Sequence, residues 1–222
     1  MKLKLLTINK VFVMFILLAT LLVPTACSGK VQAQEPAFPV TKFVSSTELF
    51  SLYVPTGWSM EEVVPGASLV MANSETALAR YRNGNALESG DLVLNVSFLP
   101  LALLQEKELS HLGIQVEASP DAFLQSLLPM FLLGDQPARE AAGEAELVSL
   151  SDGREAGMLS PSEDGREGLI LVFTLGKDVF AFISATTYPG GMNEFQEVTY
   201  GVAAGVTYSG SQDALYSKLY GD

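Results

Sequence analysis

The chain has 222 residues, with 13 basic and 25 acidic side chains, one histidine and one cysteine. Its formal charge of −12 argues against nucleic acid as a partner, since phosphate backbones are bound by basic patches. A single cysteine excludes an internal disulfide, and a single histidine excludes a multi-histidine metal site.

The amino-terminal segment is the most informative. Lys2, Lys4 and Lys10 make a basic start, residues 11–23 carry no charge, and Pro24-Thr25-Ala26-Cys27 follows. This is the order of an export signal: basic, apolar, then small residues. Residues 11–26, up to the cysteine, are sixteen uncharged residues, short of the roughly 20 that a spanning helix needs, and Pro24 interrupts a helix there. A cleaved signal over residues 1–26 is therefore expected. Cys27 stands where a bacterial lipoprotein signal places its lipidated residue, although Pro24 occupies a position where such signals usually carry Leu. A second cleavage position, after Val31-Gln32-Ala33, also fits the small-x-small pattern, so both stay open. Lipid on Cys27 would anchor the protein on the extracytoplasmic side of a cell membrane. Each buried methylene contributes about 0.8 kcal/mol, so one acyl chain binds marginally and two or more bind stably.

From Cys27 onward the chain holds 10 basic and 25 acidic residues, a net of −15. Such a body is repelled by anionic headgroups, which leaves the anchoring to the lipid. Residues 27–40 are polar with two prolines and read as a lipidated tether. Residues 41–222 are long enough for one domain with a substantial core.

Within that domain, residues 49–54 read as a strand ending at the turn Pro55-Thr56-Gly57, with 58–64 as its hairpin mate. Pro65-Gly66 turns the chain into the short apolar run 67–72. Residues 74–82 are helix-like and end at Asn83-Gly84-Asn85. Leu92, Leu94, Val96 and Phe98 alternate with Val93, Asn95 and Ser97, giving a strand with one strongly apolar face. A shorter helix is expected over 101–112. Ser119-Pro120 opens another, with Ser as N-cap and Pro in the first turn. Phe123, Leu124, Leu127 and Leu128 form its apolar face, and Pro129 should kink or end it.

The last third is the most regular. Residues 147–150 and 154–159 flank the turn Ser151-Asp152-Gly153, and Glu163-Asp164-Gly165 turns again. The runs 169–175 and 179–185 are apolar on both faces, and Gly176-Lys177 fits a two-residue hairpin between them. Strands apolar on both faces need cover on both sides. One cover is the helix from Ser119. The other begins near Asn193, where Asn193 and Gln196 suggest a capping box and Phe195, Val198, Val202 and Val206 recur at helical spacing. The fold class expected is α+β: an antiparallel β-sheet covered by helices on both faces, an α-β-α sandwich, preceded by a lipoprotein signal peptide.

The segment Phe50-Ser51-Leu52-Tyr53-Val54-Pro55-Thr56-Gly57-Trp58 resembles the early strand and tyrosine-x-proline-x-glycine-tryptophan hairpin of the PsbP-like and DcrB-like extracytoplasmic proteins. Val148-Ser149-Leu150, Gly153-Arg154-Glu155-Ala156, the two long apolar strands and the closing helix extend the resemblance over residues 43–210. The resemblance implies an α-β-α sandwich without catalysis, in a group whose photosynthetic members assemble or stabilise membrane complexes. It carries over no functional residues.

Candidate chemistry is sparse. His111, in Leu109-Ser110-His111-Leu112, reads as a solvated residue near the end of a short helix, with Glu106 and Glu108 nearby. No nucleophile elbow or phosphate loop accompanies it. Glu61-Glu62 and Glu163-Asp164 are paired carboxylates, the second pair reading as turn chemistry. Tyr53 and Trp58 fit either a core hairpin or a ligand groove. The expectation is a non-catalytic lipoprotein with a protein partner and no cofactor or metal. The alternative is a carrier or sensor of a small ligand or metal, with an enzyme third.

Overall fold

A computed structural model describes residues 38–101, 114, 119–131, 143–163, 166–176 and 178–220. Cys27, His111 and the expected helix over 101–112, apart from Leu101, lie outside them, as do the signal segment and most of the tether. The described chain is a mixed α+β arrangement of two antiparallel sheets and four helices.

The larger sheet contains β3 (Ser59–Val64), β4 (Ser68–Ala72), β5 (Leu92–Pro100), β6 (Glu146–Ser149), β7 (Glu155–Leu159), β8 (Ser162–Glu163), β9 (Arg166–Leu175) and β10 (Val179–Thr187). Its order is β3-β4-β5-β10-β9-β7-β6, with β8 paired to β9. The two apolar runs of the last third thus lie at its centre. A smaller sheet joins β1 (Val40–Val44), β2 (Phe50–Pro55) and β11 (Thr207–Tyr208) in the order β1-β2-β11.

Alternation along the central strands sorts their side chains into two cores. Leu169, Leu171 and Phe173 of β9, with Ala181 and Ile183 of β10, face the small sheet's Phe50, Leu52 and Val54. Helix α3 (Met192–Ala204) joins that side through Val202 and Ala203, and α4 (Gln212–Tyr220) through Leu215. Aromatic rings connect the layers: Phe43 to Phe50 at 5.8 Å, Phe50 to Phe98 at 4.6 Å, and Phe98 to Tyr208 at 5.2 Å. On the opposite face α2 (Pro120–Phe131) packs Phe123, Leu124, Leu127 and Leu128 on Val172 and Phe180. Beside it α1 (Glu75–Arg82) packs Ala77 and Leu78 on Val70, Ala72 and Val93. Ser74 caps α1, its hydroxyl accepting the Ala77 N–H at 3.0 Å.

Three local expectations are corrected. The segment after Gly57 is a strand, but it is not the mate of β2. Gly57, at φ +87°, turns the chain into the other sheet, where β3 pairs with β4. The turn residues encode a reversal of direction, whereas β2's ladder partners, β1 and β11, are set by burial of Phe50, Leu52 and Val54 between the layers. The β9–β10 loop has three residues, because Leu175 pairs with Val179 and Gly176 adopts φ +68°. Helix α2 ends at Phe131, two residues beyond Pro129, close to the stop expected there. Finally, Asn193 and Gln196 form no capping box. The N-cap of α3 is Gly191, with no side-chain cap of its own. The N–H groups of Gly190 and Met192 instead donate to Glu167 of β9, at 2.8 and 3.0 Å.

The far end of α3 is held in the same long-range manner. Arg154 donates to the carbonyls of Ala203 and Ala204, both at 3.0 Å. Its guanidinium lies 4.6 Å from the centre of the Phe173 ring and also pairs with Asp152. A carboxylate at the amino end and a cation at the carboxyl end both complement the helix dipole.

Candidate functional site

The outer face of the large sheet is not apolar throughout. Between α1 and α2 the middle strands present Ser68 of β4, Asn95 and Ser97 of β5, and Ser184 of β10, all half-buried. Register places Ser68 opposite Ser97 and Asn95 opposite Ser184. The Asn95 side-chain oxygen accepts from the Ser97 hydroxyl at 3.2 Å and from the Ser68 hydroxyl at 3.4 Å. The two hydroxyls lie 3.5 Å apart. Apolar clusters flank this seam, with Val70, Val93 and Tyr81 on the α1 side and Val172, Phe180, Ile170 and Phe182 on the α2 side.

The arrangement offers an uncharged floor of hydroxyls and one amide between apolar walls. Such a floor suits hydrogen bonding to a neutral group. Among the described residues, the hydroxyls of Ser68 and Ser97 meet each other and the Asn95 side-chain oxygen. The signal for this seam was present in the sequence, since Asn95 and Ser97 interrupt the second face of an otherwise apolar strand.

Those residues singled out from the sequence that the structure describes do not converge. Glu61 pairs with Arg82 of α1. Glu62 accepts the Gly66 N–H at 2.7 Å and the Ser46 N–H at 3.0 Å, tying two turns together. Burial pulls its carboxyl upward, but the hydrogen bonds from Gly66 and Ser46 prevail and hold it below its ordinary value. Tyr53 is exposed on the outer side of the small sheet, against Gly205, whereas Trp58 is half-buried against the main core. They do not line a shared groove. Asp164 and Gly165 lie outside the described residues. The phenol of Tyr208, half-buried beside Phe98, is pushed up to about 12 by desolvation.

Among the described residues, no three His, Cys, Asp or Glu side chains gather in a way that could hold a metal ion. No helix among them is long and apolar enough to cross a membrane.

No protein-family model matches the chain, and no curated protein matches it in sequence. Several solved structures of low identity align with it. A chain from Bacteroides thetaiotaomicron VPI-5482 aligns at a TM-score of 0.42 and 14% identity, over 80% of this chain. The alignment covers 50% of that bacterial chain, so the present chain spans half its length. The solution structure of cyanobacterial PsbP (CyanoP) from Synechocystis sp. PCC 6803 aligns at 0.43 and 16% identity, over 77% of this chain and 92% of its own. A point mutant of the protein Mog1 aligns at 0.40 and 14% identity, over 82% and 92%.

Proposed function

We propose that the chain is a non-catalytic, membrane-anchored lipoprotein of the PsbP-like or DcrB-like kind. Its domain binds, or helps to assemble, a protein partner at the outer face of the membrane. One observation carries this reading: Cys27 follows an apolar, uncharged run, and among the described residues the first strand opens at Val40. A folded domain on a short polar tether behind a lipidated cysteine is built to work at a surface. Mild crosslinking in intact membranes, followed by capture of the protein and identification of what accompanies it, tests the partner. The same capture from a Cys27→Ser strain tests the anchor, which predicts loss from the membrane fraction. An unmodified amino terminus at Gln34 would replace the lipoprotein with a secreted protein.

The seam of Ser68, Asn95 and Ser97 favours a second reading, a carrier or sensor of a small neutral ligand. Asn95→Leu distinguishes the two. Loss of a captured small molecule with partner capture intact supports the carrier.

A further inference from the structure

The small sheet has an outer face that no described element covers completely. Val44 is 49% exposed and Tyr53 41% exposed. Lys42, exposed, stands opposite Tyr53 in the β1–β2 ladder, and Val44 stands opposite Ser51. Val40, Lys42, Val44, Ser51 and Tyr53 share this face, because their neighbours Phe43, Phe50, Leu52 and Val54 belong to the core. None of these five residues is a carboxylate. The single acidic residue between Val40 and Pro55 is Glu48, in the turn beyond Val44. In a body of net charge −15 this is an exception, with an aromatic, an aliphatic and a cation side by side.

The tether enters the small sheet at Val40, after the ring of Phe38 has packed against Gly201 of α3. Ten residues separate Cys27 from Phe38, since Phe38 lies against Gly201 and the Pro39 carbonyl accepts the Thr56 N–H at 2.9 Å. A coil of that length has a root-mean-square span of about 20 Å, and full extension does not exceed about 40 Å. A domain of this size has a radius of gyration of about 16 Å, hence a width of about 40 Å. The tether is therefore no longer than the domain is wide, and it holds the Val40 side nearest the bilayer.

From these two observations we infer that the outer face of β1 and β2 rests on the lipid headgroup surface. Tyr53 and Val44 enter the interfacial layer, where amphipathic rings are favoured. Lys42 lies along it with its ammonium among anionic headgroups. The acidic remainder of the domain is turned away by the same charge that would otherwise repel it. The contact is weak taken alone and acts only because the lipid supplies a high local concentration. It rests on lipidation of Cys27 and fixes the orientation in which a partner meets the domain.

The test uses the full lipidated protein in protein-free vesicles with an anionic lipid. Because the chain's one cysteine carries the lipid, Val44→Cys and Leu147→Cys each provide a single thiol for an environment-sensitive dye. Leu147, 46% exposed on β6 of the other sheet, is the reference. A nitroxide lipid quencher should dim the dye at Val44 several-fold more than the dye at Leu147. Adding Lys42→Glu and Tyr53→Asp should equalise the two sites while the protein still floats with the vesicles. A milder pair, Lys42→Gln and Tyr53→Ser, guards against misfolding, checked by circular dichroism. Equal quenching at both sites with flotation retained overturns the orientation and leaves the lipoprotein reading intact. Loss of flotation of the parent protein overturns both.

Discussion

The carboxylate of Glu167, at the start of β9, accepts the backbone N–H of Met192, the first residue of α3, at 3.0 Å. It also accepts the N–H of Gly190 at 2.8 Å. A strand thereby does the work usually left to an N-cap side chain. Glu167→Ala should cost about 1 kcal/mol, the usual loss for an N-cap. Glu167→Gln should cost less, since its amide oxygen still accepts one bond. Urea unfolding of both variants checks the order, and equal losses would show that charge rather than acceptance matters.

Phe173 is fully buried, with Arg154 stacked on its ring. Phe173→Ala should cost about 3–5 kcal/mol, as for other deleted core aromatics. A loss below about 1 kcal/mol would contradict its burial. Arg154→Lys should be clearly destabilising despite keeping the charge, because an ammonium does not reproduce the planar fork that reaches both Ala203 and Ala204. Chemical denaturation of the single and double variants measures the coupling, which should be non-additive.

Gly157 is fixed by proximity rather than by backbone freedom. A Cβ there would stand 2.2 Å from the carbonyl oxygen of Pro120, at the start of α2. Gly157→Ala should therefore push α2 off the sheet and cost about 1–3 kcal/mol, in the range of overpacked cores. Gly153→Ala, where the site is spatially open but φ is +86°, tests strain alone. Thermal unfolding of the pair separates the two causes.

Glu62 sets a pH dependence. Its folded value lies below the ordinary 4.5, so its hydrogen bonds add stability above that pH. This contribution is lost as pH falls below about 4.5 and through the folded value. Glu62→Gln should flatten the acid limb of stability measured between pH 6 and pH 3, with little change in slope above pH 6. An unchanged acid limb would exclude Glu62 as a contributor.

Much of this architecture is readable along the chain because it is written in local periodicity. Period two in residues 92–98 and doubly apolar runs at 169–175 and 179–185 locate the central strands. The spacing of Phe123, Leu124, Leu127 and Leu128 locates α2. What escapes is whatever depends on residues distant in sequence. The Pro55–Gly57 turn looks the same whether the next strand joins its own sheet or the other. Glu167 caps a helix that begins 25 residues later, beyond the reach of any capping motif. The seam lies between these cases. Asn95 and Ser97 are legible as polar interruptions, but their meeting with Ser68 and Ser184 requires the strand order.

Strand order also constrains when folding can finish. Ser51 pairs with Thr207, and their hydroxyls meet at 2.9 Å across 156 positions of sequence. The β9–β10 hairpin can close as soon as it is made, since hairpins form within microseconds. The small sheet must wait for Thr207 and Tyr208. Until then the core-facing Phe50, Leu52 and Val54 lack part of their layer, so a chain emerging amino end first stays vulnerable to proteases and to aggregation until Thr207 and Tyr208 arrive. Truncations before Thr207 should therefore fail as whole domains rather than merely shed a tail.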